Sequence, residues 1–245
     1  MQFNPCVLIP IYNNRDTIRD VVGSLEYLKL PCLIIDDGSD QPTREVLQDV
    51  DKNFPWVTVI HRTQNGGKGA AMATGFRSAV ELGYTHAVQL DADGQHDASD
   101  VPRFVEKAQS SPDALILSKP IFDDSAPPAR RYGRLVTTFW VCIETWSFEI
   151  KDALCGFRCY PLHSVMELYR ETKIGAGMVF DTEIAVRLYW NGVPMINVET
   201  KVDYKKGGVS HFKYLADNLR IIRLHVELLI GMLLRIPRLA LRRLT

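Results

Sequence analysis

Short apolar runs alternate with amphipathic stretches across the first half of this chain, and that rhythm limits its possible folds more than any other feature. Cys6–Ile11, Cys32–Asp36, Val57–His61, Ala87–Leu90 and Ala114–Ser118 read as strands. Helical patterns lie between them at Thr17–Leu28, Pro42–Val50, Lys68–Leu82 and Asp100–Ser110, with proline in the first turn of the second and Gly83 closing the third. Parallel strands need long crossover connections, and helices supply them. The pattern therefore predicts an α/β fold: a mostly parallel sheet with helices on both faces.

Ligands of such sheets bind beyond the carboxyl ends of the strands. Three polar clusters fall there: Asp36-Asp37-Gly38-Ser39 after the second strand, Asn65-Gly66-Gly67-Lys68-Gly69 after the third, and Asp91-Ala92-Asp93-Gly94-Gln95-His96 after the fourth. Beyond Ser118 the rhythm changes. Residues 119–129 hold three prolines and two adjacent acids and read as a loop, followed by a basic helix start at Arg130, Arg131 and Arg134. Asp152–Tyr160 reads as a turn into a short strand, Met178–Trp190 as a helix, Pro194–Val198 as a strand, and the chain from about Phe212 as helical.

Composition narrows the function. The 245 residues suit one α/β domain, and 46% hydrophobic content supports a sizeable core. Equal numbers of basic and acidic side chains, 29 each, give no reason to expect nucleic-acid binding. Five cysteines without a C-x-x-C pair argue against a disulfide framework or zinc cluster and fit a reduced, cytoplasmic compartment. The N-terminus lacks the charged start and apolar run of a signal peptide.

Asp91 and Asp93 stand one residue apart at a strand end, so both carboxylates can point into one cleft. Hard divalent cations take oxygen ligands and often bridge carboxylates to substrate phosphates, which marks Asp91, Asp93 and the Gln95 carbonyl as candidates for Mg²⁺ or Mn²⁺. A plain polar turn capping the next helix has the same look. Asp36 and Asp37 offer acceptors for a base or ribose, or simply close a turn. The glycine-rich turn with Lys68 is neither a P-loop nor a G-x-G-x-x-G fingerprint, yet a helix N-terminus there suits phosphate.

In this order, Ile9-Pro10-Ile11-Tyr12-Asn13-Asn14, the three clusters above, and Asp152-Ala153-Leu154-Cys155-Gly156-Phe157-Arg158 resemble family 2 glycosyltransferases, particularly the dolichol-phosphate mannosyltransferase-like branch. The resemblance spans roughly the first 205 residues. It implies a GT-A, Rossmann-like fold, a nucleotide-sugar donor, metal dependence and inversion at the anomeric carbon. It places Pro10, Tyr12, Asp36 and Asp37 around the nucleoside, Asp91, Asp93 and Gln95 at the metal and diphosphate, and Arg158 on the acceptor side. Cys155 replaces a frequent serine, and Lys119 stands where polyprenyl-phosphate enzymes usually carry arginine, keeping the charge without its fork geometry.

Transfer to a hydroxyl needs a base, for which Asp152, Asp181 and Glu183 are candidates; a phosphate acceptor is already an anion and needs none. Lys68, Lys119, Arg131 and Arg134 are expected at the donor diphosphate or an anionic acceptor headgroup, and His211 at the diphosphate or on the surface. Residues 213–245 carry seven basic and two acidic side chains among leucines and isoleucines, the make-up of an interfacial helix or of one packed on a neighbour.

The expected organisation is a GT-A domain over 1–211 and an amphipathic helical segment over 212–245, peripheral at the cytosolic face of a membrane. The expected activity is an inverting, metal-dependent transfer from a UDP- or GDP-hexose to a lipid-linked acceptor, either a polyprenyl phosphate or a glycolipid. A sugar-phosphate nucleotidyltransferase is one alternative, but its Gly-rich, basic first turn is absent at Ile11–Arg15. A donor-binding module without transfer is the other.

Overall fold

A computed structural model describes residues 2–121, 128–202 and 214–242, with the side chains of 128–131, 214–216, 238 and 242 excepted. The strands are β1 (Pro5–Ile11), β2 (Cys32–Asp36), β3 (Val57–His61), β4 (His86–Gln89), β5 (Leu115–Ile121), β6 (Arg158–Pro161) and β7 (Met195–Lys201). They form one sheet in the order β3-β2-β1-β4-β6-β5-β7. All pairs are parallel except those of β6, which runs antiparallel to both β4 and β5. The chain order reverses at β1, between β2 and β4, and ligands of such sheets bind beyond the carboxyl ends at a reversal of this kind.

Helices cover both faces. On one side α1 (Arg15–Leu25), α2 (Gln41–Asn53) and α4 (Val101–Ser110) bury Ile18, Leu47 and Phe104 against Val7, Ile9 and Ile34. On the other, α3 (Lys68–Glu81), α5 (Pro128–Thr145), α6 (Leu162–Glu171) and α7 (Phe180–Trp190) enclose a core with Phe76, Tyr160, Phe180 and Ile184. The odd and even positions of β1 enter opposite cores, as the period-2 geometry of a strand requires. Asp40 caps α2 by accepting from Thr43 N, just ahead of the proline in its first turn.

Three differences from the sequence reading matter. β5 continues through Lys119 and Pro120 to Ile121, paired with β7, where a loop was expected. α6 follows β6 directly and had not been anticipated. The C-terminal helices α8 (Tyr214–Leu233) and α9 (Ile236–Arg242) are no detached appendage: Leu224, Leu228, Met232 and Leu239 are buried in the same core as α3 and α7. A boundary near residue 212 therefore does not separate two cores. Glu144 Oε1 of α5 and His225 Nδ1 of α8 lie 2.7 Å apart in a hydrogen bond, both residues buried. Among the described residues, no helix is long and apolar enough to cross a membrane.

Candidate active site

The loops after β1 and β2 are laced together. Asn13 N donates to Ser39 Oγ, and Asp40 N donates to Asn13 Oδ1. Pro10 lies in β1, and Tyr12 stands half-exposed at its end. Asp36 and Asp37 are buried and already engaged. Asp36 accepts from Ser39 N and lies 2.8 Å from His61 Nδ1. Asp37 pairs with Arg62 and accepts from Gly66 N and Gly67 N. In this conformation both brace loops rather than present open acceptors to a nucleoside.

The glycine-rich turn is packed from within. The Gly66 and Gly67 amides donate to Asp37, and Ala70 N donates to the carbonyl of Ala176 at 3.1 Å. A Cβ on Gly67 would stand 2.7 Å from the Ala176 carbonyl oxygen, and one on Gly69 would collide with the carbonyl of Gly175. Gly67 and Gly69 therefore admit the 175–177 backbone. Lys68 follows the same logic. Its ammonium lies 2.8 Å from Asp91 Oδ1 and 2.7 Å from Asp181 Oδ2.

The acidic turn hangs from β4. Thr17 Oγ1 donates to the Ala92 carbonyl at 2.5 Å, Gly94 takes a left-handed φ of 67°, and Gln95 N donates to Asp93 Oδ1 at 3.0 Å. Burial pushes the Asp91 carboxyl up, but Lys68 and His96 more than reverse this and hold it well below the usual range. Asp93 is raised, first by burial and then by the charge of Asp91. His96 Nε2 sits 3.7 Å from Asp91 Oδ2, while its buried Nδ1 has no hydrogen-bond partner among the described residues.

Crowded carboxylate oxygens fit a hard divalent cation, and the raised Asp93 carboxyl marks negative charge that a cation would offset. No group of three or more His, Cys, Asp or Glu is placed to hold an ion among the described residues, so the two carboxylates would share the ion with other oxygen ligands such as water, the Gln95 carbonyl or a bound phosphate. A cavity of about 420 Å³ opens beside the turn, toward α1, lined by Thr17, Asp20, Ser24, Asp91, His96 and Asp97. Tyr12 and Asp37 do not line it.

The Asp152–Arg158 segment closes the other side. Asp152 accepts from Leu154 N and Cys155 N, and Arg134 of α5 reaches both its oxygens at 2.8 and 2.7 Å. Arg158 is wholly buried and donates to the carbonyls of Ala153, Cys155 and Asp181. It shapes the loop from beneath and has no exposed surface with which to touch an acceptor directly. Gly156, at the loop's tip, passes so close to Asp91, Lys68 and Gln89 that a side chain has no room.

Two further candidates, Glu183 and Lys119, pair away from the turn's charges. Glu183 accepts from Gly175 N and pairs with Arg187, tying α7 to the preceding loop. Lys119 pairs at 2.8 Å with Glu199, its register partner on β7. The side chain of Arg131 and the whole of His211 lie outside the described residues. Sequence reasoning missed Gln89 and Tyr160: Gln89 Nε2 donates to Asp181 and Gln89 Oε1 accepts from Tyr160 OH. A polar glutamine inside the apolar β4 run was the available signal.

The model of the family "Glycosyl transferase family 2" matches residues 6–171. The polyprenol monophosphomannose synthase of Mycolicibacterium smegmatis is 27% identical over 219 residues, covering 87% of this chain and 82% of that protein. The UDP-N-acetylglucosamine–dolichyl-phosphate N-acetylglucosaminyltransferase of Methanococcus voltae is 26% identical over 184 residues, covering 68% and 73%. Among solved structures, the glucosyl-3-phosphoglycerate synthase of Mycobacterium tuberculosis, bound to Mn²⁺, UDP and phosphoglyceric acid, aligns with a TM-score of 0.69 at 16% identity, covering 94% of this chain and 78% of that one. That likeness carries the GT-A fold, and the nucleotidyltransferase alternative gives way. With its five motifs gathered on the carboxyl edge of a GT-A sheet, the chain belongs to glycosyl transferase family 2 and is a glycosyltransferase.

Proposed function

We propose that this enzyme transfers a hexose, with inversion, from a UDP- or GDP-sugar to the phosphate of a polyprenyl phosphate. One observation carries the reading: the three carboxylates that were candidate bases are all engaged. Asp152 is held by Arg134 and two amides, Asp181 by Lys68 and Gln89, and Glu183 by Arg187 and Gly175. A hydroxyl acceptor needs a free base, whereas a phosphate oxygen is already anionic. The names of the relatives, which act on polyprenol and dolichyl phosphates, support the same acceptor class.

In this reading an acceptor phosphate oxygen bonds to the anomeric carbon while the bond from that carbon to the diphosphate breaks, and the nucleoside diphosphate leaves with the electron pair. Mg²⁺ or Mn²⁺ held at the acidic turn, when bound, would supply positive charge to the departing diphosphate. Arg134, anchored on Asp152, stands on the acceptor side of the turn. Tyr12 borders the nucleoside, with Pro10 behind it.

The acceptor's lipid fits the outer surface of α5 and α8. Tyr132, Leu135, Val136 and Phe139 form an exposed stripe on α5, and Leu219, Ile222, Val226, Ile230 and Leu233 one on α8. Both follow helical spacing, and the two helices pack together. Arginines follow in the sequence at positions 235, 238, 242 and 243, and this apolar surface together with that basic stretch suits the cytosolic face of an anionic membrane.

The test compares polyprenyl phosphate with the corresponding polyprenol, across UDP- and GDP-hexoses, with Mn²⁺ or EDTA. Transfer to the phosphate alone is expected, and Asp93→Ala should lose several kcal/mol of transition-state stabilisation, roughly 10²-fold or more in rate. Transfer to the alcohol but not to the phosphate overturns the reading.

A further inference from the structure

Lys68 begins α3 at a point where three separate parts of the chain meet. Its ammonium touches Asp91 of the acidic turn and Asp181 in the first turn of α7, at 2.8 and 2.7 Å, and its side chain is 15% exposed. Beyond Asp181 the contacts continue inward. Gln89 Nε2 donates to Asp181 Oδ1, Tyr160 OH donates to Gln89 Oε1, and the Asp181 carbonyl accepts from Arg158. This chain of contacts roots the acidic turn in the sheet and in α7. The Lys68 ammonium sits between two carboxylates, and two of its three donors are spent inside the protein.

Asp91 is correspondingly encumbered. Lys68 takes Oδ1, and the His96 ring lies 3.7 Å from Oδ2. Asp93 is bound differently: the bond described for its carboxylate comes from the nearby amide of Gln95, and no cation lies within ion-pair distance of it among the described residues.

We propose that Lys68 is a positioning residue, an internal counter-cation that withholds Asp91 from the divalent ion and locks the acidic turn to α7, leaving Asp93 as the carboxylate open to metal. The role differs from that of a phosphate-binding lysine. A lysine that binds diphosphate makes its main interactions with the donor, whereas this one spends two of its three donors on Asp91 and Asp181. The inference rests on the acidic turn being the metal and donor site. It is independent of the acceptor's identity.

The experiment needs no acceptor. Bare Mn²⁺ binding is measured by electron paramagnetic resonance on the full chain without nucleotide, and kcat and KM for Mn²⁺-dependent donor hydrolysis are measured alongside. In Lys68→Met, Asp91 is released as a second ligand, so bare Mn²⁺ should bind ~10-fold or more tightly, the scale on which outer-shell partners tune metal affinity. In the same variant kcat should fall more than donor KM rises, and Lys68→Arg should restore part of kcat. Unchanged or weaker Mn²⁺ binding, with the loss confined to donor KM, overturns the proposal and makes Lys68 a diphosphate ligand.

Asp181→Asn provides a second route if Lys68→Met does not fold. It cuts the tie to α7 while Lys68 stays on Asp91. Lower kcat at unchanged donor KM and unchanged bare Mn²⁺ affinity supports the proposal, and wild-type kcat overturns it. A failure of transfer to polyprenyl phosphate alters none of these readouts.

Discussion

Adding one methyl group at Gly156 should disable the site while leaving the fold in place. A Cβ there would lie 2.6 Å from Asp91 Oδ2, 2.6 Å from Lys68 Nζ and 2.7 Å from Gln89 Nε2. Ordinary contact begins about 0.8 Å farther out, so something must move. None of the three neighbours is a free end: Lys68 grips Asp91 and Asp181, and Gln89 is held by Asp181 and Tyr160. Relief therefore comes from displacing the acidic turn or the 152–158 loop by several tenths of an ångström. Misplacement on the scale of 1 Å can cost about 10²-fold in rate, so Gly156→Ala should lose roughly 10- to 100-fold in kcat/KM. Overpacking should cost about 1–3 kcal/mol of stability. Initial rates of transfer, with urea unfolding of the same preparations, measure both. A variant within twofold of wild type in kcat/KM and equally stable would refute the claim that the loop tip and the Asp91–Lys68 pair share one packed geometry.

Glu144 links α5 to α8, and burial raises its carboxyl pKa, while the hydrogen bond and charge of His225 pull part of the way back. The native state thus holds this proton more tightly than the unfolded state does, so wild-type stability falls as pH rises from the ordinary value of 4.5 through the raised one. Glu144→Gln lacks that loss. Its melting temperature relative to wild type should climb across this window, and a difference that stays flat with pH would contradict the assignment. For the outer face of α5 and α8, Phe139→Glu with Ile222→Glu should weaken binding to anionic vesicles without lowering donor hydrolysis in solution. Equal vesicle co-sedimentation of variant and wild type would leave that face to another partner.

The sheet, the helices on its two sides and the location of the acidic turn were legible because each depends on local pattern. Apolar runs such as Val7–Ile11 and Leu33–Ile35 declare strands by themselves, and a turn after β4 must lie at the carboxyl edge wherever the neighbouring strands sit. What each polar residue touches was decided by tertiary structure. β6 is four residues long and antiparallel, too short to announce either its pairing or its direction. Lys68 and its glycines looked like a phosphate turn, yet the site's crowding comes from Asp181 and the 175–177 backbone, which are distant in sequence. Arg158 carried a family motif, but burial directed its Nε, Nη1 and Nη2 inward to three carbonyls, one of them on the distant Asp181. The leucines of α8 suited an interfacial helix and a packed one alike, and folding divided them between a buried face on α5 and α7 and an exposed one. Composition and spacing set what a residue can do chemically. Which partner occupies it depends on contacts between segments far apart in the chain, and those arise only when the sheet and its helices have packed.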